Sequence, residues 1–216
     1  MPKLTIDQLN TLSIIFLFNE FRCLLPDNLD SFVEYLKKYL TNLVSSLSSE
    51  SSFYKHIAYT GCGNVEILEF DIFKSILNSY KGIFCKGFSR EEFDLYQLDW
   101  DKYVNIKLII PCLSDSSKFQ INAVEIISLE TTLNSLGVVK VESDKLKQLF
   151  DKNNMDSEEI KNLLTQKYPE MKTLFDCWAS SHLRNMSLTT VGMSLAIANI
   201  KRLTGEYNDL EIWIKD

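Results

Sequence analysis

Residues 29–47 read Leu29-Asp30-Ser31-Phe32-Val33-Glu34-Tyr35-Leu36-Lys37-Lys38-Tyr39-Leu40-Thr41-Asn42-Leu43-Val44-Ser45-Ser46-Leu47. Leu29, Phe32, Val33, Leu36, Leu40, Leu43, Val44 and Leu47 recur at intervals of three and four, while Lys37, Lys38 and Asn42 fall on the other side. Such spacing lines up one face of a helix with 3.6 residues per turn, whereas a half-buried strand needs alternation by two. The stretch predicts one amphipathic helix, opened at Asp27 or Asn28 and running to about Leu47. Its apolar stripe needs a partner, and the flanking sequence offers mostly helices.

Upstream, Thr5 and Gln8 stand three apart as in a capping box, which predicts a helix over 6–21. Leu9, Leu12, Ile15, Phe16, Leu17 and Phe18 make most of its surface apolar, so it belongs in the core. Cys23-Leu24-Leu25-Pro26 ends it, because the residue before a proline avoids the α region. Downstream, the serine-rich run 45–52 reads as a loop. Phe53 to Tyr59 reads as a short helix closed by Thr60-Gly61-Cys62-Gly63, where the two glycines suit a turn needing positive φ. Val65 to Phe70 alternates apolar and acidic residues, as a strand or as the approach to a helix over 71–80.

Ser89 followed by Glu91 and Glu92 opens a helix expected to reach about Leu98. Tyr103 to Leu113 is ambiguous, strand-like at Val104, Ile106, Leu108 and Ile110 but interrupted by Ile109. Phe119 to Val124 reads as a second strand, and a hairpin across Ser114 to Ser117 would join the two. Helices follow over 128–136 with Gly137 as its stop, 144–151, 156–166, 169–182 with the stripe Leu174, Phe175, Trp178 and His182, and 190–203 with Gly205 as its stop. Asp209 to Lys215 alternates Leu210, Ile212 and Ile214 with Glu211 and Trp213, the pattern of a short docked strand. No repeat and no compositional break appears. The expected fold is a single mainly α domain over 1–216 with a few short strands.

Composition bounds the function. Of 216 residues 45% are hydrophobic and 24% charged, which excludes wholesale disorder. The formal charge is -6, and the longest basic runs are the pairs Lys37-Lys38 and Lys201-Arg202. Nucleic-acid binding draws most of its affinity from phosphate neutralisation, so this balance argues against it. The longest apolar run, Ile14 to Phe18, falls far short of the roughly 18 to 20 residues that span a bilayer. Five cysteines, an odd number without a Cys-x-x-Cys pair, and a start without a leader pattern fit free thiols in a reducing cytoplasm.

No catalytic, cofactor or metal residues emerge. His182 follows Cys177 by five positions, about 500° of helix, so their side chains diverge by roughly 140°. His56, Cys62 and Cys85 lack the paired spacing of a zinc site. Glu91-Glu92 and Glu158-Glu159 read as acidic first turns. Gly61-Cys62-Gly63 lacks the Lys-Ser/Thr of a phosphate loop, and no Gly-x-Ser-x-Gly elbow occurs. The expected function is a non-enzymatic protein-interaction or regulatory module without a cofactor. Its partner would be another protein or an N-terminal region absent from this chain. The candidate interaction residues are Trp213, an aromatic anchor in an apolar tail, and the basic pair Lys201 and Arg202.

Ser187-Leu188-Thr189-Thr190-Val191-Gly192, followed by Leu195, resembles the end of the wing in winged-helix domains, with Thr189 as helix cap and Gly192 allowing close approach of a neighbour. Leu4-Thr5-Ile6-Asp7-Gln8-Leu9 resembles the first helix of such a domain. This resemblance implies a winged-helix fold split by a long insertion, and nucleic-acid binding as the alternative function. Tyr59-Thr60-Gly61-Cys62-Gly63, Ile110-Pro111-Cys112-Leu113, Phe119-Gln120-Ile121-Asn122-Ala123, Leu188 to Gly192 and the closing Asn199 to Glu206 and Leu210 to Ile214 together resemble the C-terminal domain of an uncharacterised bacterial family whose longer members carry an extra N-terminal part. The C-terminal Leu-Thr-x-x-Gly helix is also similar to that of bacterial abortive-infection (Abi-alpha-like) proteins. These resemblances imply a bacterial cytoplasmic module linked to phage defence, and they supply no catalytic residue.

Overall fold

The computed structural model describes residues 3–19, 26 and 28–205. In chain order the elements are α1 (Ile6–Asn19), α2 (Leu29–Leu40), α3 (Ser51–Tyr59), β1 (Gly63–Val65), α4 (Ile72–Tyr80), α5 (Arg90–Asp94), α6 (Trp100–Asn105), β2 (Ile109–Pro111), β3 (Phe119–Ile121), α7 (Ile126–Ser135), α8 (Lys140–Lys152), α9 (Ser157–Lys167), α10 (Met171–Ser180), β4 (Met186–Leu188) and α11 (Thr190–Thr204). Short 3-10 turns occupy Val44–Ser46 and His182–Asn185. The fold is mainly helical, with two small antiparallel pairs, β1 with β4 and β2 with β3. Two compact units share the chain: Met1–Leu24, Asp30–Ser75 and Lys161–Asp216 in one, Leu25–Leu29 and Ile76–Ile160 in the other. The changes of unit after residues 75 and 160 fall inside α4 and α9, so no linker composition marks them.

In the first unit, α1 starts as its capping box requires. The Thr5 N–H donates to Gln8 Oε1 at 3.0 Å, and the Gln8 N–H to Thr5 Oγ1 at 3.2 Å. Every residue from Asn10 to Leu17 is buried, which suits a helix apolar on most sides. It packs along α11, antiparallel, with Ser13 opposite Ala196 and Asn10 opposite Asn199. Asn10, Ser13 and Asn199 are hydrogen-bonded inside this pair, whereas the buried Thr11 Oγ1 of α1 has no partner. Asn199 Nδ2 donates to Asn10 Oδ1 at 2.9 Å and to Ser13 Oγ at 3.0 Å, and Arg202 donates to Asn199 Oδ1 at 2.9 Å.

The same network shortens α2. The stripe of Phe32, Val33, Leu36, Leu40, Leu43 and Val44 is buried as the periodicity expects. The helix nevertheless ends at Leu40, not at Leu47, and the chain tightens through a 3-10 turn. Buried Asn10 supplies a reason: its Nδ2 needs acceptors, and it takes Ser46 Oγ at 2.8 Å and Asn42 O at 3.5 Å.

The second unit is built on the expected hairpin, with Ile109 opposite Ile121 and Pro111 opposite Phe119. Phe88, Phe93, Tyr103, Leu108, Leu129, Leu133, Leu146, Leu149 and Phe150 join these isoleucines in its core. The ambiguous stretch 103–113 divides. Asp99 caps α6 through the Lys102 N–H, the helix ends at Asn105, and Lys107 at φ +57° turns the chain into β2. The helix opened by the Ser89 capping box stops at Asp94, short of Leu98, and Gln97 takes φ +51°. Helix α7 begins at Ile126 and α8 at Lys140, both ahead of their expected starts. The strand expected over 209–215, Trp213 included, lies outside the described residues.

Candidate functional site

An open apolar feature of the first unit grows from the turn after α3. Gly61 ends that helix at φ +73°, and the chain enters β1. Gly63 does not share the positive φ expected of it. It is needed because a Cβ there would sit 2.8 Å from both Met186 Sδ and Ser187 O of β4. Pairing of Gly63 with Leu188 and Val65 with Met186 aligns the two strands.

Beyond β1 the chain arches instead of continuing as a strand. Its two feet are tied to the segment before β4: the Glu66 N–H donates to Asn185 O and the Phe70 N–H to Arg184 O, each at 2.7 Å. Side chains brace the arch. Ser187 Oγ donates to Glu66 Oε1 at 2.6 Å, Arg184 pairs with Glu69 at 3.1 Å, and Trp178 Nε1 donates to Phe70 O at 3.0 Å. At the apex, Ile67 and Leu68 are 97% and 83% exposed. A solvated loop of this length ordinarily carries polar residues, so two bare aliphatic side chains on a braced arch are informative.

Beneath the arch lies a groove of about 620 Å³, with Asn19, Leu68, Arg184 and Met186 among the residues lining it. Asn19 Nδ2 donates to Met186 O at 3.4 Å, but its Oδ1 is buried without a partner. Arg184 Nε is likewise buried without a partner. Both residues line the groove, but these two atoms are themselves sealed from solvent. A neighbouring recess of about 360 Å³ is lined by Phe70, Phe73, Phe175 and Trp178, and it shares Glu69, Phe70 and Arg184 with the groove. Phe73 and Phe175 meet with ring centroids 4.7 Å apart.

The residues singled out in the sequence fall elsewhere. Trp213 lies outside the described residues. Lys201 and Arg202 occupy the last turn of α11, where Arg202 is committed to Asn199. His182 leaves α10, which stops at Ser180, and joins the 3-10 turn capped by Ser181. There its Nε2 lies 3.1 Å from Ser51 Oγ, while Cys177 Sγ contacts Ser48 O at 3.4 Å and Ser181 Oγ at 3.6 Å. Tyr54 closes this cluster with its hydroxyl on Ser48 O at 2.6 Å and Ser181 Oγ at 3.0 Å, and burial pushes its phenol above the ordinary range. His56 pairs with Gln8 Oε1 at 3.1 Å, and Cys62 Sγ turns to Thr60 O at 3.8 Å. Asn19, Glu69 and Arg184 carried no motif. The one signal was the alternation over 65–70, which fits neither a core strand nor a solvated loop.

No described helix is long and apolar enough to cross a membrane. No curated protein and no solved structure shows significant similarity to the chain. One protein-family model, described only as a "-like" family, matches residues 1–214. The chain therefore belongs to that family, which is uncharacterised.

Proposed function

We propose that the protein is a non-enzymatic interaction module that binds an extended, apolar segment of a partner protein in the groove under the 66–70 arch. The observation that carries this reading is the near-complete exposure of Ile67 and Leu68 on an arch braced at both feet. The bracing orders the arch backbone, so binding costs it little further entropy, and covering the two side chains removes apolar surface worth roughly 25 cal/mol per Å² from water. The groove's carboxylates are already engaged, Glu66 by Ser187 and Glu69 by Arg184, so the lining suits binding without acid–base work. We extend the reading to a bacterial cytoplasmic role in phage defence on the similarity of the α11 start to abortive-infection proteins.

The alternative is a winged-helix-type nucleic-acid binder. It draws on the β1–β4 pair that leads into Thr189-capped α11. The commitment of Arg202 to Asn199 counts against it.

Ile67→Asp combined with Leu68→Asp tests the first reading. Exposed positions of this kind change stability by no more than about 0.5 kcal/mol, so the variant should melt with the wild type. Apolar peptides selected from a random library on the wild-type protein should lose affinity for the variant by at least about tenfold, or about 1.4 kcal/mol. Equal binding to both proteins overturns the groove. Duplex DNA binding tighter than about 10⁻⁶ M at physiological salt would favour the alternative.

A further inference from the structure

Cys85 and Cys112 are far apart in the chain yet converge inside the second unit, each 4% exposed. Backbone pairing brings them together. Phe88 and Phe119 exchange N–H···O bonds of 2.8 and 2.9 Å, which dock the segment after Cys85 on the hairpin, and the Cys112 N–H donates to Lys118 O at 2.9 Å. Gly87 makes the approach possible. It takes φ +71°, and a Cβ there would lie 2.9 Å from both Cβ and Sγ of Cys112.

The polar surroundings are asymmetric. Gly87 N–H donates to Cys85 Sγ at 3.2 Å. Ser114 Oγ donates to Cys85 O at 2.6 Å and lies 3.3 Å from Cys112 Sγ, which in its thiol form reaches Cys85 O at 3.5 Å. The Cys85 thiol and then Ser114 hold Cys112 down to about 5, while the interaction with Cys112 and burial push Cys85 up. Of the two, Cys112 is the sulfur favoured as thiolate and Cys85 the one favoured as thiol. Cys112 is buried, while its neighbours Pro111, Leu113 and Ser114 at the turn end of the hairpin are exposed. Cys62 and Cys177 differ in that their sulfurs bond to Thr60, Ser48, Tyr54 and Ser181 and not to a residue bearing a second thiol.

We propose that Cys85 and Cys112 form a redox-active dithiol, a modification site at which a hydroperoxide closes an intramolecular disulfide. The Cys112 sulfur attacks the terminal peroxide oxygen, the O–O bond breaks, and the leaving oxyanion takes a proton from solvent. Cys112 becomes a sulfenic acid. The Cys85 sulfur then attacks it, the S–O bond breaks, and hydroxide leaves with the Cys85 proton as water. Two thiols lose two electrons and two protons, and the hydroperoxide is reduced to an alcohol (water, for hydrogen peroxide) and water. The product ties the turn end of the hairpin to the segment that docks on it.

Peptide mapping of the intact wild-type chain tests this without any variant. Trypsin separates the five cysteines onto peptides 23–37, 56–74, 82–86, 108–118 and 173–184. Reduced protein is treated with hydrogen peroxide, denatured, alkylated and digested. The expected result is a disulfide joining 82–86 to 108–118, with the other three peptides alkylated. In Cys85→Ser, dimedone should trap a sulfenic acid on 108–118, and in Cys112→Ser peroxide consumption should be lost. The wild-type rate should stay flat from neutral to alkaline pH and halve near pH 5, where an ordinary thiol would gain tenfold per unit up to about 8.5. A different pairing, alkylation of all five peptides after excess peroxide, or a rate that climbs through pH 8 overturns the proposal.

Discussion

Gly192→Ala sets two effects of opposite sign against each other inside α11. Alanine in a helix interior is better than glycine by about 1 kcal/mol, so propensity alone raises stability. A methyl group at this position, however, overlaps the Cys62 carbonyl oxygen and comes within 2.9 Å of its carbon and 3.4 Å of its Cα. Ordinary carbon–carbon contact begins at about 3.5 to 4.0 Å, so the helix and the 61–63 segment must separate, and backbone on both sides cannot swing away as a long side chain would. Thr189 loses most by that separation, since its N–H donates to Cys62 O at 3.2 Å and its Oγ1 to Gly61 O at 2.7 Å. Two such bonds are worth about 1 kcal/mol each, and overpacking adds about 1 to 3 kcal/mol. After the propensity gain the net loss is about 2 to 4 kcal/mol. For a chain of this size that lowers Tm by about 4 to 16 °C, read by far-ultraviolet circular dichroism on heating. Ser194→Ala, on the exposed side of the same helix, takes the propensity gain without a clash and should melt at or slightly above the wild type. If Gly192→Ala melts with Ser194→Ala, α11 is not held against Cys62 and the close-approach reasoning fails.

Asn199→Ala should cost about 2 to 3 kcal/mol in denaturant unfolding, because it strips Asn10, Ser13 and Arg202 of buried partners. Adding Asn10→Ala should cost less than the sum of the singles, whereas strict additivity would show that the two do not form one network. Glu142 accepts from Lys102 Nζ and from Tyr103 Oη, each at 2.7 Å, and Lys102 first and Tyr103 second hold it below the usual carboxylate range. A depressed folded pKa contributes stability above the unfolded value of about 4.3, and that contribution is lost as pH falls through the folded value. The Tm gap between wild type and Glu142→Gln should therefore be full at neutral pH and close in more acidic solution; a gap that widens on acidification contradicts the assignment.

Much of the helical framework is legible locally, and the reason is range. A capping box such as Thr5–Gln8, Ser89–Glu92 or Asp156–Glu159 spans four residues and acts before any tertiary contact forms. The left-handed stops at Gly137 and Gly205 are equally local. Where helices end short of their pattern, local preference gives way to other partners: Asn10, far away in sequence, takes Ser46 and Asn42 beyond α2, and Ser181 caps the turn that carries His182 away from α10. The candidate site was hardly legible. Val65 to Phe70 showed an alternation without a home, and nothing in Asn19 or Arg184 distinguishes them from any other polar residue of a helix end or loop.

The sequence alone determined the helical class, most helix starts and the burial of α1, because periodicity, caps and backbone stereochemistry work within one or two turns; it left 103–113 ambiguous, and the clash that requires glycine at 192 comes from the distant Cys62 carbonyl. Only the tertiary structure decided that the 66–70 arch stands with Ile67 and Leu68 in water, that Asn19 Oδ1 and Arg184 Nε go unused beside the same groove, and that Cys85 meets Cys112. Each of these rests on segments brought together by the pairing of β1 with β4 or by the docking of Phe88 on Phe119, and a linear pattern carries no record of which distant backbone a strand will choose.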